Sequence, residues 1–400
     1  MKFNKWTLSL AAVGIVSLNS AVKAEEAPQS VWTAVSSTTL SGYVDTSMQW
    51  NFGTGNEHTP PYSFGGAGKA DGFNLNVVQL SLDKPLNEAE WASGYHVDLW
   101  MGPDANALGS VSSGSSSDFA IRQAYVALRM PVGNGIDWKI GVFDTVIGYE
   151  SLASPNNPNY TRSYGFTVEP TTHTGVLATY RINDMVSLSG GVANTFGSMI
   201  NGRANPPQAE SYKTYMGSFA ITAPEQWGFL SGSTFSGGVI NGFNASADGT
   251  SQTSWYAGAT LSTPVTGLKL GATFDYVDHH GPGSKDNDEV ASNSGNTFVV
   301  GLYTSYQATE KLSLHLRGEY MHDKADLFEE DDFGANGFGA KVYEVTATAQ
   351  YDLWKNVISR VEFRWDHSND KFFGSNSNSS FGDPTRKNAF MLAANVIYKF

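Results

Sequence analysis

Cysteine is absent from all 400 residues. No disulfide can staple the fold, and Cys-based metal motifs are excluded. Beyond the N-terminal residues 6–18, no apolar run approaches the roughly 20 residues that a membrane-crossing helix requires. Basic residues are few: 25 Lys and Arg against 38 Asp and Glu leave a formal charge of −13. That is the wrong sign for neutralising phosphates, so nucleic acid is not expected as a partner. A Gly-rich phosphate loop and a Ser nucleophile elbow are also missing. Glycine (42), Phe (23), Tyr (18) and Trp (10) are, by contrast, abundant.

The N-terminus has the layout of an export signal. Lys2 and Lys5 precede an apolar stretch from Trp6 to Leu18, and Val22-Lys23-Ala24 offers a small-residue cleavage site. The apolar stretch is too short to cross a bilayer. Cleavage after about Ala24 removes three lysines and moves the charge from −13 to −16. An exported soluble enzyme and an outer-membrane barrel both fit at this point.

Periodicity narrows the choice. In residues 312–320, Leu312, Leu314, Leu316, Gly318 and Tyr320 alternate with Ser313, His315, Arg317 and Glu319. Period-two alternation of this kind is a strand with one apolar and one polar face. Val357, Val361, Phe363 and Trp365 against Ile358, Arg360, Glu362, Arg364 and Asp366 repeat it, as do Phe390, Leu392, Ala394, Val396, Tyr398 and Phe400. Strands are expected near 40–51, 73–83, 93–101, 119–130, 136–144, 173–182, 185–194, 211–222, 228–243, 252–262, 267–279, 296–308, 311–322, 341–353, 356–367 and 388–400. That makes sixteen, with fourteen or eighteen within the error of the boundaries.

Connection lengths alternate. Residues 131–135, 182–184, 263–267, 308–310 and 353–356 are short, with 84–92 and 223–227 slightly longer. Residues 52–72, 102–118, 145–172, 195–210, 280–295, 323–340 and 368–387 are long, and 244–251 is intermediate. Short turns and long loops therefore segregate to opposite rims, as in outer-membrane barrels. Strands of about 9 to 13 residues suit a tilted crossing. Trp50, Trp100, Trp138, Trp227, Trp255, Trp354, Tyr398 and Phe400 fall near strand ends, where aromatic girdles lie. The expected fold is all-β: one transmembrane, antiparallel, up-and-down barrel over residues 25–400.

Sixteen strands leave an aqueous lumen, where eight would be filled by side chains. Inward faces can then be charged. Arg122, Lys139, Arg181, Lys269, Arg317, Arg360 and Arg364, with Asp45, Asp98, Asp275, Glu319, Glu344, Glu362 and Asp366, are expected to line water. The longest connection, 145–172, is the third long loop. Pro155, Pro158 and Pro170 lower the entropy lost on ordering it. Tyr160, Tyr164 and Phe166 give it apolar surface to lay on the wall. Its expected ionisable residues are Asp144, Glu150, Arg162 and Glu169, and acids facing Arg122, Arg317, Arg360 and Arg364 would set a transverse field.

Residues 141–175 carry a resemblance. Gly148–Glu150, Asn157–Tyr164 and Pro170–Gly175, with the preceding IRQAYVAL at 121–128, are similar to elements of the OmpL-like β-barrel porin family of Gram-negative bacteria. AANVIYKF, ending on Phe400, resembles the terminal strand that the barrel-assembly machinery recognises. The resemblance implies an outer-membrane, porin-like barrel embedded in lipid and lipopolysaccharide. By analogy with general porins it implies an inward-folded third loop and a homotrimer.

Competing chemistry is sparse. Asp278, His279 and His280, with His322 and Asp323, are candidates for a hydrolytic pair or a rim metal site. Adjacent strand residues point to opposite faces, so His279 and His280 do not ligate one ion without a bulge. The acidic stretches 284–290 and 323–334 lack EF-hand spacing. The reading is a non-enzymatic porin, without cofactor, passing small hydrophilic solutes. Net acidity suggests mild cation preference, which the inward arginines could reverse. Alternatives are a substrate-specific sugar or ion channel with Tyr160, Tyr164 and Trp100 as a stacking track, and a non-conducting adhesin or structural barrel.

Overall fold

The computed structural model describes residues 37–53, 56–87, 89–112, 117–204, 212–245, 250–281, 294–325, 327, 340–374 and 384–400. The signal-like segment 1–24, the acidic stretch 284–290 and most of 323–334 lie outside the described residues. Sixteen strands follow in chain order: β1 (Thr39–Asn51), β2 (Gly72–Lys84), β3 (Ser93–Met101), β4 (Phe119–Met130), β5 (Ile136–Asp144), β6 (Thr172–Arg181), β7 (Val186–Ala193), β8 (Thr214–Thr222), β9 (Thr234–Phe243), β10 (Ser251–Ser262), β11 (Leu268–His280), β12 (Gly295–Gln307), β13 (Leu312–Asp323), β14 (Ala340–Trp354), β15 (Val357–Ser368) and β16 (Asn388–Lys399). Two short helices lie in loops, α1 (Pro103–Leu108) and α2 (Tyr164–Val168).

Each strand pairs antiparallel with its sequence neighbours, and β1 pairs with β16 to close the barrel. The seam runs from Tyr43 opposite Lys399 to Asn51 opposite Met391. Gly42 and Phe400 complete it with reciprocal N–H to C=O bonds of 3.0 Å. Closure matters because hydrocarbon offers no partner to an open sheet edge. The apolar faces point outward: Leu314, Leu316, Val361, Phe363, Leu392 and Val396 are exposed, whereas Arg317, Glu319, Arg360, Glu362 and Arg364 are buried on the inside. The exposed apolar band is the side that faces lipid in a membrane barrel.

Three expectations change. Trp100 is inward and 1% exposed, not part of a girdle. It shares the inward face of β3 with Asp98, two residues earlier, and donates to Gln79 Oε1 at 2.7 Å. Strand β9 begins at Thr234, not 228, because a 3₁₀ segment (Glu225–Leu230) precedes it. Gly228 and Gly232 there have φ of 61° and 76°, values incompatible with an extended strand. Strand β8 starts at Thr214 rather than 211.

Candidate functional site

The chain between β5 and β6, residues 145–171, is held by its own short-range bonds. Thr145 N–H donates to Thr171 O at 2.9 Å and closes the neck. Ser151 N–H donates to Asn157 Oδ1, and Asn157 Nδ2 donates back to Ser151 O, both at 2.7 Å. This ring encloses a 3₁₀ turn (Ser154–Asn156) that has Pro155 in its first turn, where a missing N–H costs nothing. Ser163 caps α2 by accepting from Phe166 N–H at 2.9 Å.

Inward wall side chains then bind the loop's backbone. Glu362 on β15 accepts Tyr160 N–H (2.6 Å) and Thr161 N–H (2.9 Å), and also takes the Thr161 and Thr348 hydroxyls at 2.7 Å. Glu319 on β13 accepts Tyr164 N–H (2.9 Å) and Gly165 N–H (3.1 Å). Guanidinium groups take the carbonyls. Arg360 donates to Asn157 O (2.6 Å) and Ser154 O (3.2 Å), Arg317 to Thr161 O (2.8 Å), and Arg364 to Arg162 O (2.8 Å). An irregular buried segment must satisfy its peptide groups somewhere, and here charged side chains substitute for a ladder.

Two of these arginines also form ion pairs. Arg317 lies 2.9 Å from Glu150, 3.2 Å from Glu344 and 3.5 Å from Glu319, and Arg364 lies 2.9 Å from Asp366. These arginines are at most 2% exposed, as is Arg360. They line packed loop rather than water, which corrects the expectation of a water-facing arginine wall. The reason is geometric: the loop's free peptide groups sit where the guanidinium forks end.

Of the loop acids, Glu150 does meet a wall arginine, Arg317. Arg122 instead pairs with Asp98 (3.2 Å) and Asp144, and Asp144 is the last residue of β5 rather than a loop residue. Among the described residues, Arg162 makes no ion pair with a carboxylate. It donates to Leu152 O at 2.8 Å, and its guanidinium lies 5.5 Å and 5.4 Å from the Phe64 and Phe166 ring centres. Glu169 faces Asp275 of β11, another acid. Tyr160 and Ser47 hydroxyls bond at 2.9 Å, and Tyr164 Oη donates to Asp366 at 2.8 Å. Burial pushes both phenols well above their usual range and keeps them neutral. With Tyr164 and Trp100 fully buried, these rings do not form an open stacking track.

Sequence reasoning missed the other loops. Phe64, between β1 and β2, packs 5.8 Å from Trp100 and 6.0 Å from Phe166, and Ser63 N–H donates to Thr167 Oγ1 at 2.9 Å. Tyr62 lies under Arg364, 4.1 Å from its ring centre, and Lys69 pairs with Asp104 of α1 at 2.5 Å. On the β2–β5 wall, His96 bridges Asp83 (2.9 Å) and Asp98 (3.1 Å) and stacks on Tyr125, which Lys139 also approaches at 4.8 Å. The alternation Arg360, Glu362, Arg364, Asp366 was the one readable hint that this wall docks something. Among the described residues, no group of three or more His, Cys, Asp or Glu side chains is placed to hold a metal ion.

Residues 37–400 match the sequence profile of the family described as "Putative beta-barrel porin-2, OmpL-like". Among curated proteins, none matches the chain in sequence. Similar solved structures include an anion-selective porin from Comamonas acidovorans (14% identity, TM-score 0.57, covering 91% of this chain and 99% of that one). OmpF of Salmonella typhi, in complex with daunomycin, gives 15% identity and a TM-score of 0.57 over 91% and 97%. OmpT of Vibrio cholerae, in its trimer form, gives 12% and 0.55 over 91% and 99%. At these identities the likeness is one of fold.

Proposed function

The chain belongs to the OmpL-like β-barrel porin family, and from that premise we propose that it is an outer-membrane porin for passive diffusion of small hydrophilic solutes. Loop 145–171 narrows its water-filled path. The observation that carries this reading is the docking of the loop's backbone on Glu319, Glu362, Arg317, Arg360 and Arg364. Carboxylates receive adjacent N–H pairs and guanidinium groups receive carbonyls, so a long irregular segment stays ordered across an aqueous barrel without exposing a single large apolar face.

Sieving by size comes first in this mechanism, because the charges at the loop are held by ion pairs or by hydrogen bonds to its backbone. Long-range filtering falls to inward charges outside those pairs. Lys139 and Lys269 are such groups, since neither makes an ion pair with a described carboxylate. Local pore charge of this kind, rather than the net −13, sets selectivity. Residues 1–24 serve as the export signal, lipid and lipopolysaccharide surround the exposed apolar band, and Phe400 marks the strand taken up by the barrel-assembly machinery. The trimer form of OmpT supports a homotrimer.

One observation favours a second reading, a barrel that conducts little in this conformation. Side chains from well-separated strands, including Asp98, Thr260, Thr273, Thr348 and Arg360, are all buried. Planar-bilayer conductance of the purified protein, with liposome swelling in a series of neutral sugars, tests both. Steps that shrink with solute size support the sieve. A silent bilayer refutes the porin reading and leaves the structural barrel.

A further inference from the structure

Asp45 of β1 and Arg162 of the loop are both buried, and neither makes an ion pair among the described residues. Both line one cavity, between the chain at residues 62–69 and loop 145–171. Asp45 Oδ1 accepts Asn76 Nδ2 at 2.9 Å and Asn395 Nδ2 at 2.6 Å. Both amides reach the same oxygen, and among the described residues no hydrogen bond reaches Oδ2. Arg162 commits Nη2 to Leu152 O at 2.8 Å, and its buried Nε makes no hydrogen bond. A buried charge without a counterion is costly, so two of opposite sign on one cavity define what fills it best.

The other charges on this cavity cancel. Lys69 Nζ lies 2.5 Å from Asp104 Oδ1, a pair closed on itself. Tyr62, Phe64 and Tyr160 supply aromatic walls, and the Tyr160 hydroxyl bonds to Ser47 at 2.9 Å. Phe64 also lies 5.5 Å from the Arg162 guanidinium, so a ring rather than a counterion steadies that cation. A second cavity, lined by Gln49, Asn51 and Met391, lies nearer the rim of long loops. Tyr62 lines both cavities, held there by donating to Met391 Sδ at 3.5 Å and by the Arg364 guanidinium 4.1 Å from its ring centre. A solute entering from that rim passes Tyr62 before it reaches Asp45 and Arg162.

We propose that this cavity binds a small zwitterion, an amino acid with its α-ammonium on Asp45 and its α-carboxylate on Arg162. The assignment rests on the porin reading for a role in transport, but its binding chemistry stands without that reading. Asp45 offers Oδ2 to an ammonium with three donors, and Arg162 offers a carboxylate guanidinium N–H groups that have no acceptor. A solute with a single charge leaves the other protein charge uncompensated, and a neutral sugar leaves both. The cavity therefore selects for solutes that carry both signs on neighbouring atoms.

The test measures binding of alanine, lactate and alaninamide to the assembled barrel in detergent, by saturation-transfer NMR at about pH 6.5, where the amino groups are charged. Lactate replaces the ammonium with a hydroxyl and alaninamide replaces the carboxylate with an amide, at nearly constant size. Alanine binds about tenfold or more tightly than either. Asp45→Asn keeps the acceptor for Asn76 and Asn395 and lowers alanine to the affinity of lactate, while Arg162→Gln lowers it to that of alaninamide. No alanine binding, three ligands bound alike, lactate favoured over alanine, or alanine binding untouched in both variants overturns the site. The wild-type series decides by itself where a variant fails to assemble. In planar bilayers, alanine interrupts the current of wild type and not that of either variant. A silent bilayer with the alanine preference intact refutes the porin reading alone, and an open channel with no preference for alanine refutes the site alone.

Discussion

Replacing Glu362 with Ala removes the acceptor for two successive loop amides, Tyr160 N–H at 2.6 Å and Thr161 N–H at 2.9 Å. Thr161 is buried and Tyr160 half-buried. A buried donor left without a partner costs about 1–3 kcal/mol, with the half-buried one nearer the low end, so the pair contributes about 2–4 kcal/mol to docking. That corresponds to a roughly 30- to 700-fold fall in protection at those amides. The Thr161 and Thr348 hydroxyls can turn to other acceptors and are left out of the figure. Hydrogen exchange read at Tyr160 and Thr161 in detergent-solubilised barrel measures the effect, with β8 amides as an internal control. Unchanged protection at both amides would refute the claim that this carboxylate holds the loop. Equal loss in β8 would show instead that the variant destabilises the whole barrel.

Further outcomes follow from the same geometry. Arg317→Ala strands Glu150, Glu319 and Glu344 without their shared cation, and breaking a buried pair in this way costs about 3–5 kcal/mol; the thermal midpoint of the folded band on unheated gels falls, and an unshifted midpoint counts against the network. Lys139→Glu reverses an inward charge that makes no ion pair with a described carboxylate, so the reversal potential in asymmetric KCl moves toward cations while the barrel stays folded. No movement would place selectivity elsewhere. Removing Phe400 deletes the seam bonds to Gly42 and the terminal aromatic, and lowers the yield of assembled barrel in outer membranes.

The strands were legible because their signal is local. Period-two alternation in β13 and β15 separates Leu314 and Val361 from Arg317 and Arg360 without reference to anything distant. Loop 145–171 was legible by its place in the alternation of short and long connections and by its prolines. Trp100 was misread because an aromatic near a strand end looks the same whether it faces lipid or lumen; only its parity with Asp98 tells them apart. The start of β9 was misread because Gly228 and Gly232 sit in a run otherwise compatible with a strand.

Local pattern, then, determined by itself which face of most strands is apolar, that the chain crosses about sixteen times, and which connection is longest. It determined that charges would stand on the inward face. What those charges touch was decided only by closure of the sheet and the path of the loop within it. Glu362 meets the amides of Tyr160 and Thr161, some two hundred residues earlier, and Arg317 meets Glu150 of the loop. No spacing rule encodes such pairs, since they depend on where sixteen registers bring the wall. The physical reason is that strand periodicity arises from each residue's own backbone, while hydrogen-bond partners across a lumen are set by the sum of every strand's position.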